Sequence, residues 1–225
     1  VRLGLFGGTF NPIHYGHLRA AEEIREGLRL DRLLFIPAAL PPHKESRHMV
    51  PFTTRLEMTR LAVADDPGFE VSDVESRRPE KSYSVDTLRL FRQEWPPDTE
   101  IFFILGLDAF LEIDTWKDYR QLFTLCHFVV LDRPGYDRGQ LESTLTTRVH
   151  PDCRHDAEAG AYLHPAGSRI YFRPITLLEI SSTAIRTAVS QGRSIRFLLP
   201  EAVRRYILIK RLYQHEENTH ANQRH

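Results

Sequence analysis

The sequence is short of cysteine. Cys126 and Cys153 are the only two in 225 residues, too few for a disulfide framework. Cys126 lies in the apolar run Leu125–Leu131 and is expected as a buried free thiol, so a reducing, cytoplasmic setting fits best. The chain also lacks an excess of either charge, since thirty basic residues meet thirty acidic ones. Without a global positive field, binding to nucleic acid or to an anionic membrane has no support in composition. Long apolar runs are missing too. The chain opens on a short strand-like run, so neither a secretory leader nor a membrane span is expected. The common phosphate loops are absent as well. There is no Gly-x-x-x-x-Gly-Lys-Ser/Thr, and Gly4, Gly7 and Gly8 do not form Gly-x-Gly-x-x-Gly. A Walker loop and the dinucleotide-cofactor fingerprint are thereby excluded.

What is there is alternation. Apolar runs of strand length occur at Arg2–Gly7, Arg32–Pro37, Phe69–Val74, Glu100–Leu105, Phe128–Leu131 and Ile170–Arg173. Between them lie helical spacings. Leu18, Ala21, Ile24 and Leu28 share a face in His17–Leu28; Leu56, Thr59 and Val63 do so in Phe52–Ala64; Val85, Leu88, Phe91 and Trp95 do so in Ser84–Trp95. The pattern predicts an α/β fold, a doubly wound parallel sheet with helices on both faces. Right-handed crossovers then gather the post-strand loops on one edge, where ligands of such sheets bind. Residues 135–168, polar and punctuated by Gly and Pro, read as a helical excursion or a long surface loop. Near the end, Pro200 marks a helix start, and Val203, Ile207 and Leu208 are expected on one packing face. The last dozen residues are polar and aperiodic, as in a disordered tail.

The loops hold the chemistry. In "GGTFNPIHYGH", Gly7 and Gly8 leave the first strand and let backbone approach a bulky anion. Pro12 stiffens the turn, and a helix is expected from Tyr15 or Gly16. Its unpaired N–H groups and positive dipole favour phosphate. His14 and His17, three residues apart, can point to the same side. A zinc site there lacks carboxylate or thiolate partners at ligand spacing, and the His215–His220 spacing in the tail is one residue too long for a zincin helix. "PPHK" ends on Lys44, a cation on the same edge. "EISSTAIR" places Ser181, Ser182 and Thr183 at a helix start, as caps or as a polyphosphate cradle, with Arg186 one turn on. In "ILGLDAF", Gly106 permits close approach of a ligand, while Asp108 either caps the next helix or accepts from ribose hydroxyls. Trp116 in "DTWK" is a plug or a stacking platform.

Taken together, these residues resemble the nucleotidyltransferases with a His-x-Gly-His signature and a distant Ser/Thr-x-x-Arg motif. With "PPHK", "SYSVDTL", "GLDAF", "TWKDY" and "RPG" in order between them, the set is similar to the bacterial nicotinate-nucleotide adenylyltransferases from Leu3 to about Tyr213. The resemblance implies a Rossmann-like core over residues 1–190, a C-terminal helical segment over 191–213 in the same domain, and a tail over 214–225. It implies ATP and nicotinate mononucleotide as substrates, deamido-NAD and pyrophosphate as products, and Mg²⁺ held by the ATP phosphates rather than by the protein. It gives His14, His17, Lys44 and Arg186 the task of stabilising charge on the phosphates. Gly7, Gly8, Thr9, Phe10, Gly106, Asp108, Arg133, Ile180, Ser181, Ser182 and Thr183 would bind ATP. Ser84, Trp116 and Lys117 would hold the pyridine ring and its carboxylate. The family often carries Asp where this chain has Asn11, which removes a negative charge but keeps the turn chemistry. Lys117 stands where a tyrosine or similar residue is often found.

The implied chemistry asks for positioning and charge neutralisation, not for a nucleophilic side chain. A phosphomonoester near neutral pH is already largely ionised, its second pKa being about 6, so no general base is required. The rivals are a relative with another phosphorylated acceptor (nicotinamide mononucleotide or phosphopantetheine), a tRNA synthetase fragment, and a non-catalytic nucleotide sensor. The synthetase reading lacks a Lys-Met-Ser-Lys-Ser loop, a basic stripe and room for an anticodon-binding domain. Retention of both histidines with Lys44 and Arg186 speaks against the sensor. Either a monomer or a homo-oligomer is compatible with the sequence.

Overall fold

Apolar side chains alternate sides along each central strand, and that period of two builds two cores, one on each face of a sheet. The computed structural model describes residues 1–41, 49–77, 81, 83–131 and 138–214. Its strands are β1 (Arg2–Gly8), β2 (Arg32–Pro37), β3 (Phe69–Val71), β4 (Glu100–Gly106), β5 (His127–Leu131), β6 (Arg154–Asp156), β7 (Ala161–Leu163) and β8 (Arg169–Arg173). They form one eight-stranded sheet in the order β3-β2-β1-β4-β5-β8-β7-β6. From β3 across to β8 every neighbouring pair is parallel, as the alternation of elements predicts.

On one face Leu3, Leu5, Ile36, Ile101, Phe103 and Phe128 share a core with α3 (Ser84–Glu94), α4 (Leu107–Leu111), α5 (Tyr119–Leu125) and α6 (Arg138–Thr144). On the other, Phe6, Leu33, Phe35, Phe102 and Ile104 share a core with α1 (Tyr15–Gly27), α2 (Phe52–Val63), α7 (Ser182–Ser190) and α8 (Glu201–Ile209). Helices therefore cover both faces, and the sheet is doubly wound. Both cysteines are buried free thiols, and burial pushes the Cys126 thiol well above its ordinary range.

Three expectations need correction. Residues 138–168 are neither wholly helical nor a loop. After α6 comes a π-helical turn, Leu145–Val149, and then β6 and β7 pair antiparallel and extend the sheet beyond β8. The expected parallel sheet thus carries an antiparallel edge of two short strands. Each of these strands has three residues, and β6 reads Arg-His-Asp, so no apolar run or alternation announces it. The third strand stops at Val71, and Val74 opens a 3₁₀ turn, Val74–Arg77, instead of ending the strand. In α8, Val203 and Ile207 are buried but Leu208 is exposed. Five residues separate 203 from 208, which at 3.6 residues per turn carries Leu208 about 140° around the helix. Of the expected tail, 214–225, all but Gln214 lies outside the described residues. Among the described residues, no helix is long and apolar enough to cross a membrane.

The first core is strongly aromatic. Phe128 is fully buried, with ring centroids of Phe123, Phe110 and Phe103 at 4.8, 5.8 and 6.3 Å. Phe128→Ala is expected to cost about 3–5 kcal/mol, the range for truncating a buried phenylalanine, read as a lowered midpoint in urea with an unchanged slope.

Candidate active site

The chain leaves β1 toward β2 and β3 on one side, while β4, β5 and β8 continue on the other. Strand order therefore reverses between β1 and β4, and the loops that follow these two strands part there. The register brings the carboxyl ends level: Gly8 faces Pro37, Gly106 faces Leu131, and Leu131 faces Arg173. A cavity of about 1170 Å³ opens at this edge.

The loop after β1 forms its floor. Gly7, Gly8, Thr9 and Phe10 all line the cavity. At Gly8 a Cβ would lie 2.6 Å from the Phe10 ring, so only glycine fits beneath that ring. Phe10 itself adopts φ 46°, a left-handed conformation uncommon outside glycine. Its ring is buried edge-on against Phe6, Phe35 and His17, which holds the backbone in place.

His14 and His17 do face the same way. His14 is the N-cap of α1 and is 6% exposed, and its ring stacks on His17 with centroids 3.8 Å apart and planes at 30°. His17 Nδ1 accepts from the His14 backbone N–H at 3.3 Å. In the neutral ring that leaves Nε2 as the protonated, donating nitrogen. Gly16 lies tight against this pair, and a Cβ there would approach the His14 ring to 3.0 Å. The start of α1 differs from expectation in one respect. The Tyr15 amide donates to Leu198 O at 3.1 Å and the His17 amide to His14 O at 2.9 Å. These two amides are spent inside the fold, and the helix start turns both imidazoles, Gly16 and Ala20 to the cavity.

The loop between β8 and α7 closes the opposite wall. Ile180, Ser181, Ser182, Thr183 and Arg186 all line the cavity. Ser181 is the N-cap, accepting from Ala184 N at 3.1 Å. Ser182 is not simply part of a cradle, because its hydroxyl donates to Pro12 O at 2.8 Å. Arg186 donates through Nη1 to Asn11 O at 2.9 Å and through Nη2 to Thr183 Oγ1 at 3.2 Å. The bonds to Pro12 and Asn11 join segments 170 and 175 residues apart in sequence. Asn11 is the knot: it is 7% exposed, and its Oδ1 also accepts from Tyr213 OH at 2.9 Å and from Val50 N at 3.4 Å. Burial, above all, raises the Tyr213 hydroxyl well above its ordinary value.

Gly106 and Asp108 enter from β4. A Cβ at Gly106 would meet nothing within 4 Å. Gly106, not Asp108, is the N-cap of α4, and Asp108 sits exposed in its first turn. Lys44 and Arg133 lie outside the described residues.

Ser84, Trp116 and Lys117 are not among the residues lining this cavity. They belong to the other face of the sheet, where Ser84 opens α3. Trp116 packs edge-on against Phe103 at 6.4 Å, and Phe103 in turn backs Gly7, whose Cβ position is 3.5 Å from it. Lys117 Nζ pairs with Asp86 at 2.9 Å and lies 4.9 Å over the Tyr83 ring. The two groups of residues are thus neighbours across β1 and β4 without sharing one cavity.

Sequence reasoning points to the loop after the last strand but assigns no role to any of residues 175–179. Residues 175–179, which lack regular structure, supply much of the cavity wall. This wall is held from α1, where Glu23 accepts from the Thr176 amide at 2.8 Å and pairs with Arg19 at 2.6 Å. Burial alone would raise the Glu23 carboxyl, but the bonds from Thr176 and Arg19 outweigh it and bring the group below its ordinary value. The only advance signal was position, since this segment follows a strand on the correct edge.

A family model described as cytidylyltransferase-like matches residues 5–188. Similar curated proteins include two named "Probable nicotinate-nucleotide adenylyltransferase". The one from Geobacter metallireducens is 48% identical over 217 residues, covering 96% of this chain and 100% of the relative. That from Geobacter sulfurreducens is 49% identical with the same coverage. Among solved structures, the Plasmodium falciparum nicotinic acid mononucleotide adenylyltransferase complexed with NaAD superposes with a TM-score of 0.72. It is 18% identical, over 94% of this chain and 97% of that one, a likeness of fold.

The Glu23 clasp makes a pH prediction. A carboxyl lowered by folding stabilises the protein above its unfolded pKa of about 4.3, and that stability is lost as pH falls through the lower folded value. Glu23→Gln should therefore melt at a lower temperature than the parent at pH 7. It should also lose less stability than the parent between pH 5 and pH 3, which a series of thermal melts would read.

Proposed function

The chain belongs to the cytidylyltransferase-like family and, within it, to the nicotinate-nucleotide adenylyltransferases, and from that membership we propose that it transfers the adenylyl group of ATP to nicotinate mononucleotide. A phosphate oxygen of the mononucleotide attacks the α-phosphorus of ATP in line. The bond from that phosphorus to the oxygen bridging to the β-phosphorus breaks, giving deamido-NAD and pyrophosphate with no covalent enzyme intermediate. The observation that carries this reading is the joining of two walls of one cavity by the Ser182–Pro12 and Arg186–Asn11 hydrogen bonds. One wall offers two imidazoles and the other a guanidinium and a capped helix start.

In this reading His14, His17 and Arg186 hold the phosphates and stabilise the charge that develops on them, with Lys44 joining by family likeness. Preorganised donors of this kind do most of the work in phosphoryl-group chemistry. The backbone from Gly7 to Phe10 and the hydroxyls of Ser181 and Thr183 receive the triphosphate. Ser182 acts through Pro12, holding the loop rather than the ligand. Gly106, Asp108 and Ile180 meet the adenosine, and Arg133 is assigned near the adenine by family likeness. Ser84, Trp116 and Lys117 form the pyridine pocket on the far side of Phe103.

A divalent cation, Mg²⁺, fits this donor set only as a companion of the nucleotide. Among the described residues no group of three or more His, Cys, Asp or Glu side chains could hold a metal ion. The carboxylates lining the cavity are Asp108 and Glu179, set among imidazoles, hydroxyls and a guanidinium. Bound to the phosphates, the ion would neutralise part of their charge. Two buried thiols left unpaired support a reducing, cytoplasmic setting.

The test offers ATP with nicotinate mononucleotide, nicotinamide mononucleotide or phosphopantetheine and measures pyrophosphate release. The acid mononucleotide should give the highest kcat/KM; preference for either other acceptor would move the enzyme to a sister activity. His17→Ala should lower kcat by about 10²–10³-fold, as loss of one preorganised donor does, while near-normal turnover would remove His17 from the charge-stabilising role.

A further inference from the structure

Arg55 is fully buried, a rare place for a guanidinium. It lies in the first turn of α2, on the face turned toward the sheet. No carboxylate among the described residues forms an ion pair with it. Its donors go instead to three backbone carbonyls: Nη1 to Thr9 at 2.8 Å, Nη2 to Ala39 at 3.2 Å and Nε to Val50 at 3.2 Å. Thr9 belongs to the loop after β1, Ala39 to the loop after β2, and Val50 to the approach to α2. One planar fork therefore spans three segments, a task that lysine's single ammonium cannot reproduce.

The fork also sets direction. In a trans peptide the N–H points opposite to the C=O. Drawing the Thr9 carbonyl onto Arg55 turns the Phe10 amide away from the buried guanidinium, and both Thr9 and Phe10 line the cavity. The second loop is fixed from both sides. Ala39 gives its carbonyl to Arg55 and its N–H to Glu75 Oε2 at 3.1 Å, and Ala38 N–H donates to Gly8 O at 2.8 Å. Glu75, buried like Arg55, accepts through Oε1 from Thr87 of α3 at 3.1 Å. The network thus runs from the loop after β1, through Arg55, Ala39 and Glu75, into the helix that Ser84 opens.

We propose that Arg55 is a positioning residue for the transfer reaction, orienting the backbone of the loop after β1 toward phosphate, and that Glu75 extends the same brace to the acceptor side. This rests on the adenylyl-transfer reading of the cavity. Arg55 touches no reacting atom. It sets the direction of a donor, and misplacing such a group by an ångström can cost about 10²-fold in rate.

The experiment compares the full chain with Arg55→Met, Arg55→Lys and Glu75→Gln. Cooperative melting reports folding, titration calorimetry with a non-hydrolysable ATP analogue reports binding, and steady-state kinetics separate kcat from each KM. Arg55→Met should weaken the analogue and lower kcat by about tenfold or more, with Arg55→Lys between it and the parent. Glu75→Gln should raise KM for the acceptor by about threefold or more while kcat stays within about twofold, since it touches Ala39 and Thr87 but not Thr9. A folded Arg55→Met variant with parental analogue affinity and parental kcat overturns the proposal. Should Arg55→Met fail to fold, parental affinity and kinetics in both Arg55→Lys and Glu75→Gln overturn it equally. If the parent binds the analogue yet makes no deamido-NAD, the functional reading has failed, and the binding comparison still decides the role of Arg55.

Discussion

The turn at Asn11 and Pro12 is the constraint on which the site depends. Four stretches meet there: the loop after β1, the approach to α2 through Val50, α7 through Ser182 and Arg186, and the C-terminal segment through Tyr213. The strand register alone would bring the loops to one edge of the sheet. It would not hold them at hydrogen-bond distance. A buried side-chain amide does so by accepting two bonds at Oδ1, while its own carbonyl accepts a third. Each bond is of ordinary strength, about 1 kcal/mol net, but together they tie segments that lie far apart in the sequence. An aspartate here would add a charge beside Arg186. The amide keeps the acceptors without that charge.

Much of this was readable in advance, and the reasons are local. Gly7-Gly8 after an apolar run, two histidines flanking Gly16, and Ser181 before Ser182–Ser190 are signals that live within a few residues. Helical spacing in α1, α2 and α3 found the buried faces because packing follows the same period. What escaped was long-range or polar. Nothing near Tyr213 shows that its hydroxyl will reach Asn11, 202 residues away. Arg55 sits in "FTTRLEM", where an arginine is ordinarily solvated; only three carbonyls that the tertiary fold supplies allow it inside. The β6–β7 hairpin escaped because each strand has only three residues and β6, at the sheet edge, reads Arg-His-Asp, too short and too polar to show a period of two.

Aromatic packing is the second layer of support. Phe10 fills the space that Gly8 vacates, and Phe103 stands between Gly7 and Trp116. Rings at these points are rigid at little entropic cost, since each has only two side-chain torsions to lose. The two regions assigned to ATP and to the acceptor are therefore separated by stiff hydrocarbon rather than by loop.

The reciprocal capping of His14 and His17 carries a consequence for how this sequence can change over generations. Each imidazole helps to start α1, through the N-cap position at 14 and the Nδ1 acceptor at 17, before any substrate arrives. A replacement at 17 therefore gives up a cap contact, about 1 kcal/mol, together with a group that faces the cavity. A substitution at either position is thus judged twice, once by the helix it starts and once by the cavity it faces.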